Sequence, residues 1–267
     1  PSSIVEFKEG WCDSTLNLTQ IKIFFNKIQN IQYFEDKFIV GKSDQKSDIF
    51  DLLLFSRRDV ETVTIPTFIK RISPYAFDKC YRLTTVNFLN DSNLQYIDKN
   101  AFSETSIENI SIPKHVLQID EAAFYFCEKL VSIEIHENSE LKKICSHAFD
   151  KTSIESIVIP SCVKEIKSSA FYSCHKLKSL QFMEDSQLEV ISENFVSSEL
   201  LEHVKIPNKV KIIKENGFND CNSLKEIELS DDSNLTTIED CSFNDCSITK
   251  FYIPPQLKEI SNFLLDM

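Results

Sequence analysis

Apolar residues return along this chain in a fixed order. The best-formed stretch, Ile112 to Ile135, carries Pro113, Val116, Ile119, Ala123, Phe124, Cys127, Leu130, Ile133 and Ile135 as its marked positions, with polar residues between them. Its ending, Leu130-x-x-Ile133-x-Ile135, alternates with period two and predicts a strand with one buried face. The earlier Val116-x-x-Ile119 step predicts a second wall opposite that strand. Between the two walls, Ala123-Phe124-x-x-Cys127 predicts a corner, either a short turn or a single 3-10 or α-helical turn. A looser version follows through Leu141, Ile144, Ala148, Phe149, Ile154, Ile157 and Ile159, with a longer acidic turn in place of the proline turn. Asp150, directly after Phe149, is expected to be exposed.

The pattern then repeats in register. Ile65-Pro66, Ile112-Pro113, Ile159-Pro160, Ile206-Pro207 and Ile253-Pro254 are each 47 residues apart. Within each period the key positions Phe77, Phe102, Phe124, Phe149, Phe171, Val196, Phe218 and Phe243 alternate in steps of 25 and 22. At Phe195-Val196 the usual Ala-Phe is reversed in kind, so the aromatic ring has slipped one place. A fixed period of this size predicts a solenoid, because no single coil can bury its apolar side without a stacked neighbour.

The repeated Ile-Pro…Ile…Ala-Phe…Cys…Leu-x-x-Ile-x-Ile string resembles the BspA-like, treponemal-type leucine-rich repeats, and the resemblance covers roughly residues 60 to 265. It implies a right-handed, curved leucine-rich repeat solenoid, mostly β, with a parallel sheet on the concave face. It also implies a surface antigen of the kind found in bacteria and mucosal protozoan parasites, located at the cell surface or secreted and attaching to host, matrix or microbial surface proteins.

One solenoid domain is expected over residues 1–267. Residues 60–267 hold the regular 22- and 25-residue repeats, and residues 1–59 read as a worn first repeat with an insertion. Trp11 stands there for the usual Phe, and Leu18-Thr19-Gln20-Ile21-Lys22-Ile23 matches Leu83 to Phe88. Ile23 to Ile65 is 42 residues where Phe88 to Ile112 is 24, an insertion of 18. The polar run Lys42 to Asp48 predicts a loop. Tyr33 to Val40 and Ile49 to Phe55 predict two added strands, a hairpin against the side of the solenoid.

Composition narrows the chemistry. With 29 Lys and Arg against 41 Asp and Glu the net charge is −12, which repels phosphate backbones and argues against nucleic acid as a partner. Three glycines leave no phosphate loop, and no apolar run reaches about 18 residues, so no membrane insertion is expected in this stretch. Pro1-Ser2-Ser3 carries neither an initiating Met nor a signal-peptide core, and an excised region of a longer protein is the expectation.

Of nine cysteines, Cys80, Cys127, Cys174, Cys221 and Cys246 sit three residues after the repeat aromatic, where a buried thiol packs as a small hydrophobe. Coils stack at ~4.8 Å, so thiols two coils apart lie beyond the ~7 Å Cα limit of a disulfide. Cys221 and Cys246 alone occupy this slot in neighbouring coils, and are expected close but reduced. The acidic turns at 90–93, 137–140, 184–187 and 231–234 admit two readings, a ladder of calcium sites or solvated turns whose Ser and Asp side chains bond nearby backbone N–H groups. At two coils' separation one ion cannot gather ligands from two turns, which favours the second. No cofactor or metal site is expected. Sequons stand at Asn17, Asn90, Asn109 and Asn234, relevant only in a secretory setting. His115, His136, His147, His175 and His203 fall at unrelated repeat positions, and no nucleophile or metalloprotease motif accompanies them; an enzyme is not expected.

What remains is a binding surface. Outward residues of the Leu-x-x-Ile-x-Ile strands are small and nearly neutral in the early coils, with Glu134 and Val158 among them, through Ser179 and Gln181, then become His203, Lys205, Glu226, Glu228, Lys250 and Tyr252. These six form the candidate protein-binding site on the concave sheet, Tyr being a frequent interface anchor. The chain reads as a non-enzymatic protein-binding module, an adhesin by resemblance. The alternative is an intracellular scaffold, which the unpaired cysteines favour, so a cytoplasmic location stays open. A sheet ending at residues 260–267 predicts either further repeats or end-to-end self-association.

Overall fold

The computed structural model describes Leu18 and residues 30–261, and these wind as a leucine-rich repeat solenoid with no helix among the described residues. One wall is made by the predicted Leu-x-x-Ile-x-Ile segments. Thr62–Ile65, Thr85–Phe88, Asn109–Ile112, Ser132–Ile135, Ser156–Ile159 and Ser179–Phe182 pair in sequence order as a six-stranded parallel sheet. His203–Lys205 and Glu226–Glu228 follow as a parallel pair, and Lys250 bridges to Glu226. Register follows repeat position, Ser132 opposite Asn109 and Ile133 opposite Ile110. The strand expected earliest, around residues 18–23, lies outside the described residues apart from Leu18.

The opposite wall consists of two-residue strands, from Arg71–Ile72 to Glu165–Ile166 and again from Val190–Ile191 to Glu259–Ile260. Between the walls runs the aromatic column. Phe77, Phe102, Phe124, Phe149 and Phe171 stack at 4.9–5.5 Å between centroids with planes within 11° of parallel. Each is fully buried, stabilising by about 1.5–3 kcal/mol.

The corners are turns, so the helical alternative is corrected. In each regular corner, N–H groups alternate between two destinations. Around Phe77, those of Ala76, Asp78 and Cys80 bond back into the turn, to Ser73, Tyr75 and Phe77. Those of Tyr75, Phe77 and Lys79 cross to Lys99, Ala101 and Ser103 of the next coil at 2.8–3.0 Å. A helix would keep every N–H within its own segment, and the crossing rungs would be lost. The geometry needs left-handed backbone two residues before and after the aromatic, at Tyr75 and Lys79, Asn100 and Glu104, Ala122 and Phe126, His147 and Lys151. None of these is glycine, and each costs about 1–2 kcal/mol, offset by the rungs it permits. The corner also wraps Asp150, which is only 4% exposed, so the expectation that it faces solvent is corrected.

The inserted segment is not a hairpin on the flank. Ile31–Phe34 and Phe38–Gly41 form a tight hairpin, and Leu52–Ser56 pairs antiparallel to its second strand and parallel to Arg71–Ile72. Three strands therefore continue the wall of two-residue strands beyond Arg71–Ile72. Phe38 meets Phe77 edge-on at 6.0 Å, extending the aromatic column. Buried Arg58, its guanidinium 4.6 Å from the Phe55 ring centre, donates to the carbonyls of Ala76 and Tyr75 at 3.0 and 3.2 Å. The Ala76 carbonyl, which also accepts from Ser56 N–H, is the counterpart of the Ala101 carbonyl that Phe77 N–H engages, whereas the Tyr75 carbonyl also accepts from Asp78 N–H within its own turn.

Candidate functional site

Strand alternation sets the site. Val204 and Ile227 point into the core, which turns His203, Lys205, Glu226 and Glu228 outward. His203 lies opposite Glu226 and Lys205 opposite Glu228, while Lys250 follows Glu226 across the bridge. Tyr252 is 52% exposed. All six predicted residues thus share one outward face over three consecutive coils.

Their charges are arranged around Glu228. Lys205 Nζ approaches one carboxylate oxygen at 2.6 Å and His203 Nε2 the other at 3.6 Å. The hydrogen bond to Glu228 raises the Lys205 ammonium pKa, and the same bond holds the Glu228 carboxyl below its ordinary value. Such exposed pairs contribute little to stability, so an incoming partner can exchange them without destabilising the fold.

Sequence reasoning missed that the sheet end is continuous with its rim. A groove of about 750 Å³ is lined by Lys205 together with Met183, Glu184, Asp185, Asn208 and Lys209. The acidic turn at 184–187 therefore adjoins the candidate site. The turns themselves take the solvated form: Ser92, Ser139, Ser186 and Ser233 are buried, and their hydroxyls accept from the N–H groups of Leu94, Leu141, Leu188 and Leu235 at 3.1–3.4 Å. No cluster of three metal-ligating side chains occurs among the described residues.

The thiols do more than pack. Cys127 and Cys174 donate to the carbonyls of Phe102 and Phe149 in the preceding coil, at 3.1 and 3.2 Å. Thr105 and Thr152 hold the same slot in the intervening coils, their hydroxyls 3.3 and 3.4 Å from those sulfurs. The spacing of Thr three residues after Phe carried that signal. All eight described cysteines are free.

The BspA-type leucine-rich repeat profile matches residues 51–178 and 142–266, in six copies. The chain belongs to the BspA-type leucine-rich repeat family. Among solved structures, it is similar to a leucine-rich repeat protein of Bacteroides ovatus at 22% identity and a TM-score of 0.67, over 88% of this chain and 60% of that one. The pneumococcal vaccine antigen PcpA matches at 21% identity and 0.52, over 87% and 66%. A leucine-rich repeat protein of Treponema pallidum matches at 21% and 0.53, over 81% and 89%. The BspA-type chain thus spans less than two thirds of the first two, and these likenesses establish the fold. No curated protein matches the sequence. No helix among the described residues is long and apolar enough to cross a membrane.

Proposed function

We propose that this BspA-type solenoid is a non-enzymatic protein-binding module, displayed at the cell surface as an adhesin, whose contact face is the pair of three-residue strands that follows the six-stranded sheet, with the Lys250 segment beyond it. The observation carrying the reading is the density of charge along one face: of Thr85, Asn109, Ser132, Glu134 and Ser156 in the early coils only Glu134 is charged, whereas His203, Lys205, Glu226 and Glu228 follow in neighbouring coils, with Lys250 and Tyr252 beyond. A regular solenoid needs no charge at outward positions for stability, so varied charges beside an exposed aromatic ring are what a partner selects. Surface display rests on the family and on the similarity to the pneumococcal antigen. The last coil, with Ile260 39% exposed and Leu257 half-buried, carries either further repeats or end-to-end self-association, and a strictly monomeric chain in sedimentation over a range of concentrations would count against the second.

The test is binding of the immobilised chain to a panel of matrix, serum and microbial surface proteins. His203→Ala with Tyr252→Ala should weaken any interaction at least about tenfold, equivalent to about 1.4 kcal/mol, with an unchanged melting temperature. Glu137→Ala with Asn138→Ala, on an acidic turn away from the rim groove, should leave affinity unaltered. The intracellular scaffold is favoured by one observation, the eight free thiols, and labelling of intact cells with an impermeant biotin reagent separates the two settings.

A further inference from the structure

A second groove, of about 820 Å³, runs along the corners from Tyr75 to Asn194, on a different side of the coil from the sheet. At its centre is Asp150. The residue is 4% exposed, its Oδ2 lies 2.9 Å from His147 Nδ1, and its Oδ1 is the buried side-chain oxygen left without a hydrogen-bond partner among the described residues. A buried acceptor in that state is destabilising, and the cost is recovered when a donor reaches it. Burial also pushes its carboxyl above the ordinary range, opposed by the hydrogen bond and charge of His147 and by the charge and backbone N–H of Lys151.

Two half-buried tyrosines flank it. Phe126 N–H donates to the Asp150 carbonyl and Lys151 N–H to that of Tyr172, which fixes Tyr125 one coil before Asp150 and Tyr172 one coil after. The rings are thus two coils apart, about 10 Å, roughly the length of a disaccharide. Aromatic faces pack against the C–H faces of sugars, while their hydroxyls bond. Charge favours a neutral ligand. Lys79 stands 3.9 Å from Asp78 and 4.0 Å from Glu104. Lys151 bonds Tyr125 Oη at 3.2 Å and lies 5.4 and 5.5 Å from the Tyr125 and Phe126 ring centres. The groove carboxylates already have cations beside them, and an ammonium or guanidinium ligand would have to displace Lys151.

From this geometry we infer that the corner groove is a carbohydrate-binding site, taking a neutral oligosaccharide along the coil axis. The ring of His147, whose side chain is 47% exposed, turns aside to let a sugar hydroxyl donate to Asp150 Oδ1, and Tyr125 and Tyr172 support the flanking rings. This goes beyond the sheet reading and does not depend on it.

The experiment is titration of isotope-labelled chain with cellopentaose, maltopentaose and chitopentaose, and separately with L-arginine ethyl ester, followed by amide chemical shifts. At least one oligosaccharide should bind saturably and shift Tyr125, Asp150 and Tyr172. Asp150→Asn, and separately Tyr172→Ala, should weaken it at least about tenfold, while His203→Ala with Tyr252→Ala should leave it unchanged. Should Asp150→Asn fail to fold, the wild-type shift map and Tyr172→Ala still decide. Absence of saturable binding by all three sugars, shifts elsewhere, or arginine ester binding at these amides in their place would overturn the assignment.

Discussion

The coils before and after Phe195 solve the same packing problem differently. Up to Phe171 the rings stack nearly parallel, and three N–H groups of each corner cross to the next coil. At the slipped coil the Phe195 ring still enters the column, edge-on, 5.7 Å from Phe171 and 6.0 Å from Phe218 at 79° and 69°. Two crossing rungs enter it, Ser169 to Glu193 and Phe171 to Phe195, and two leave it, Asn194 to Glu215 and Val196 to Gly217. Both walls break at this coil, and the contact strands shorten from four residues to three. Outward charge, a single Glu134 before the break, becomes dense directly after it. The difference teaches that ring volume in the column is the firmer requirement and strand pairing the softer one, since edge-on and stacked rings are both favourable.

The strongest way to break this comparison is to empty the column on each side. Phe149→Ala and Phe195→Ala should each cost about 3–5 kcal/mol through lost burial and the cavity left behind, measured by urea unfolding. Ser156→Ala, outward on the sheet, should stay within about 0.5 kcal/mol. A harmless Phe195→Ala would mean that the slipped ring does not replace the missing one.

The thiols give the next effect. Burial pushes Cys127 up to about 11 and Cys174 and Cys221 up to about 12, while Cys246 is raised by burial and by the nearby Cys221. The folded state therefore keeps protons that the unfolded chain releases. Stability contributed by each thiol is full below the unfolded value near 9 and declines as pH rises from there toward 11–12, by about 1.4 kcal/mol per thiol per pH unit. Urea midpoints should fall above pH 9, and Cys174→Ala should flatten the slope. A pH-independent midpoint up to pH 11 would show that these thiols are not held as drawn.

Walls, column and outward faces were legible because a repeat reports burial directly: Ile133 recurs as Ile110, Ile157 and Val204, all inside. The six site residues were placed outward by the same alternation, whereas their partner is chemistry the repeat does not encode. Corner conformation was not legible, since Tyr75, Lys79, Ala122 and Phe126 have no preference for left-handed backbone and adopt it for the rungs. Asp150 was misread for the same reason, a polar residue after Phe looking exposed until the corner wraps it. The antiparallel pairing of Phe38–Gly41 with Leu52–Ser56 was legible as a hairpin, but the added Ile31–Phe34 strand and the parallel junction of Leu52–Ser56 with Arg71–Ile72 were not, since neither has a counterpart in the repeat.

The smallest effect tests whether the slip shaped its neighbour. In five coils the residue before the aromatic is alanine, at Ala76, Ala101, Ala123, Ala148 and Ala170, but after the slipped coil it is Gly217. A methyl group there would lie 3.0 Å from Ile213 Cγ2, 3.1 Å from the Lys214 carbonyl and 3.4 Å from Ile191 Cγ2. Ile191 belongs to the slipped coil, and Val196 N–H donates to the Gly217 carbonyl, so Phe195 in the alanine slot and a missing methyl at Gly217 are one accommodation. Gly217→Ala should then cost about 1 kcal/mol by overpacking. Restoring the repeat with Phe195→Ala and Val196→Phe should lower that cost to near zero, a coupling of about 1 kcal/mol in a double-mutant cycle. Equal costs in both backgrounds would make Gly217 independent of the slip, and the break in the sheets would then belong to the Phe195 coil alone.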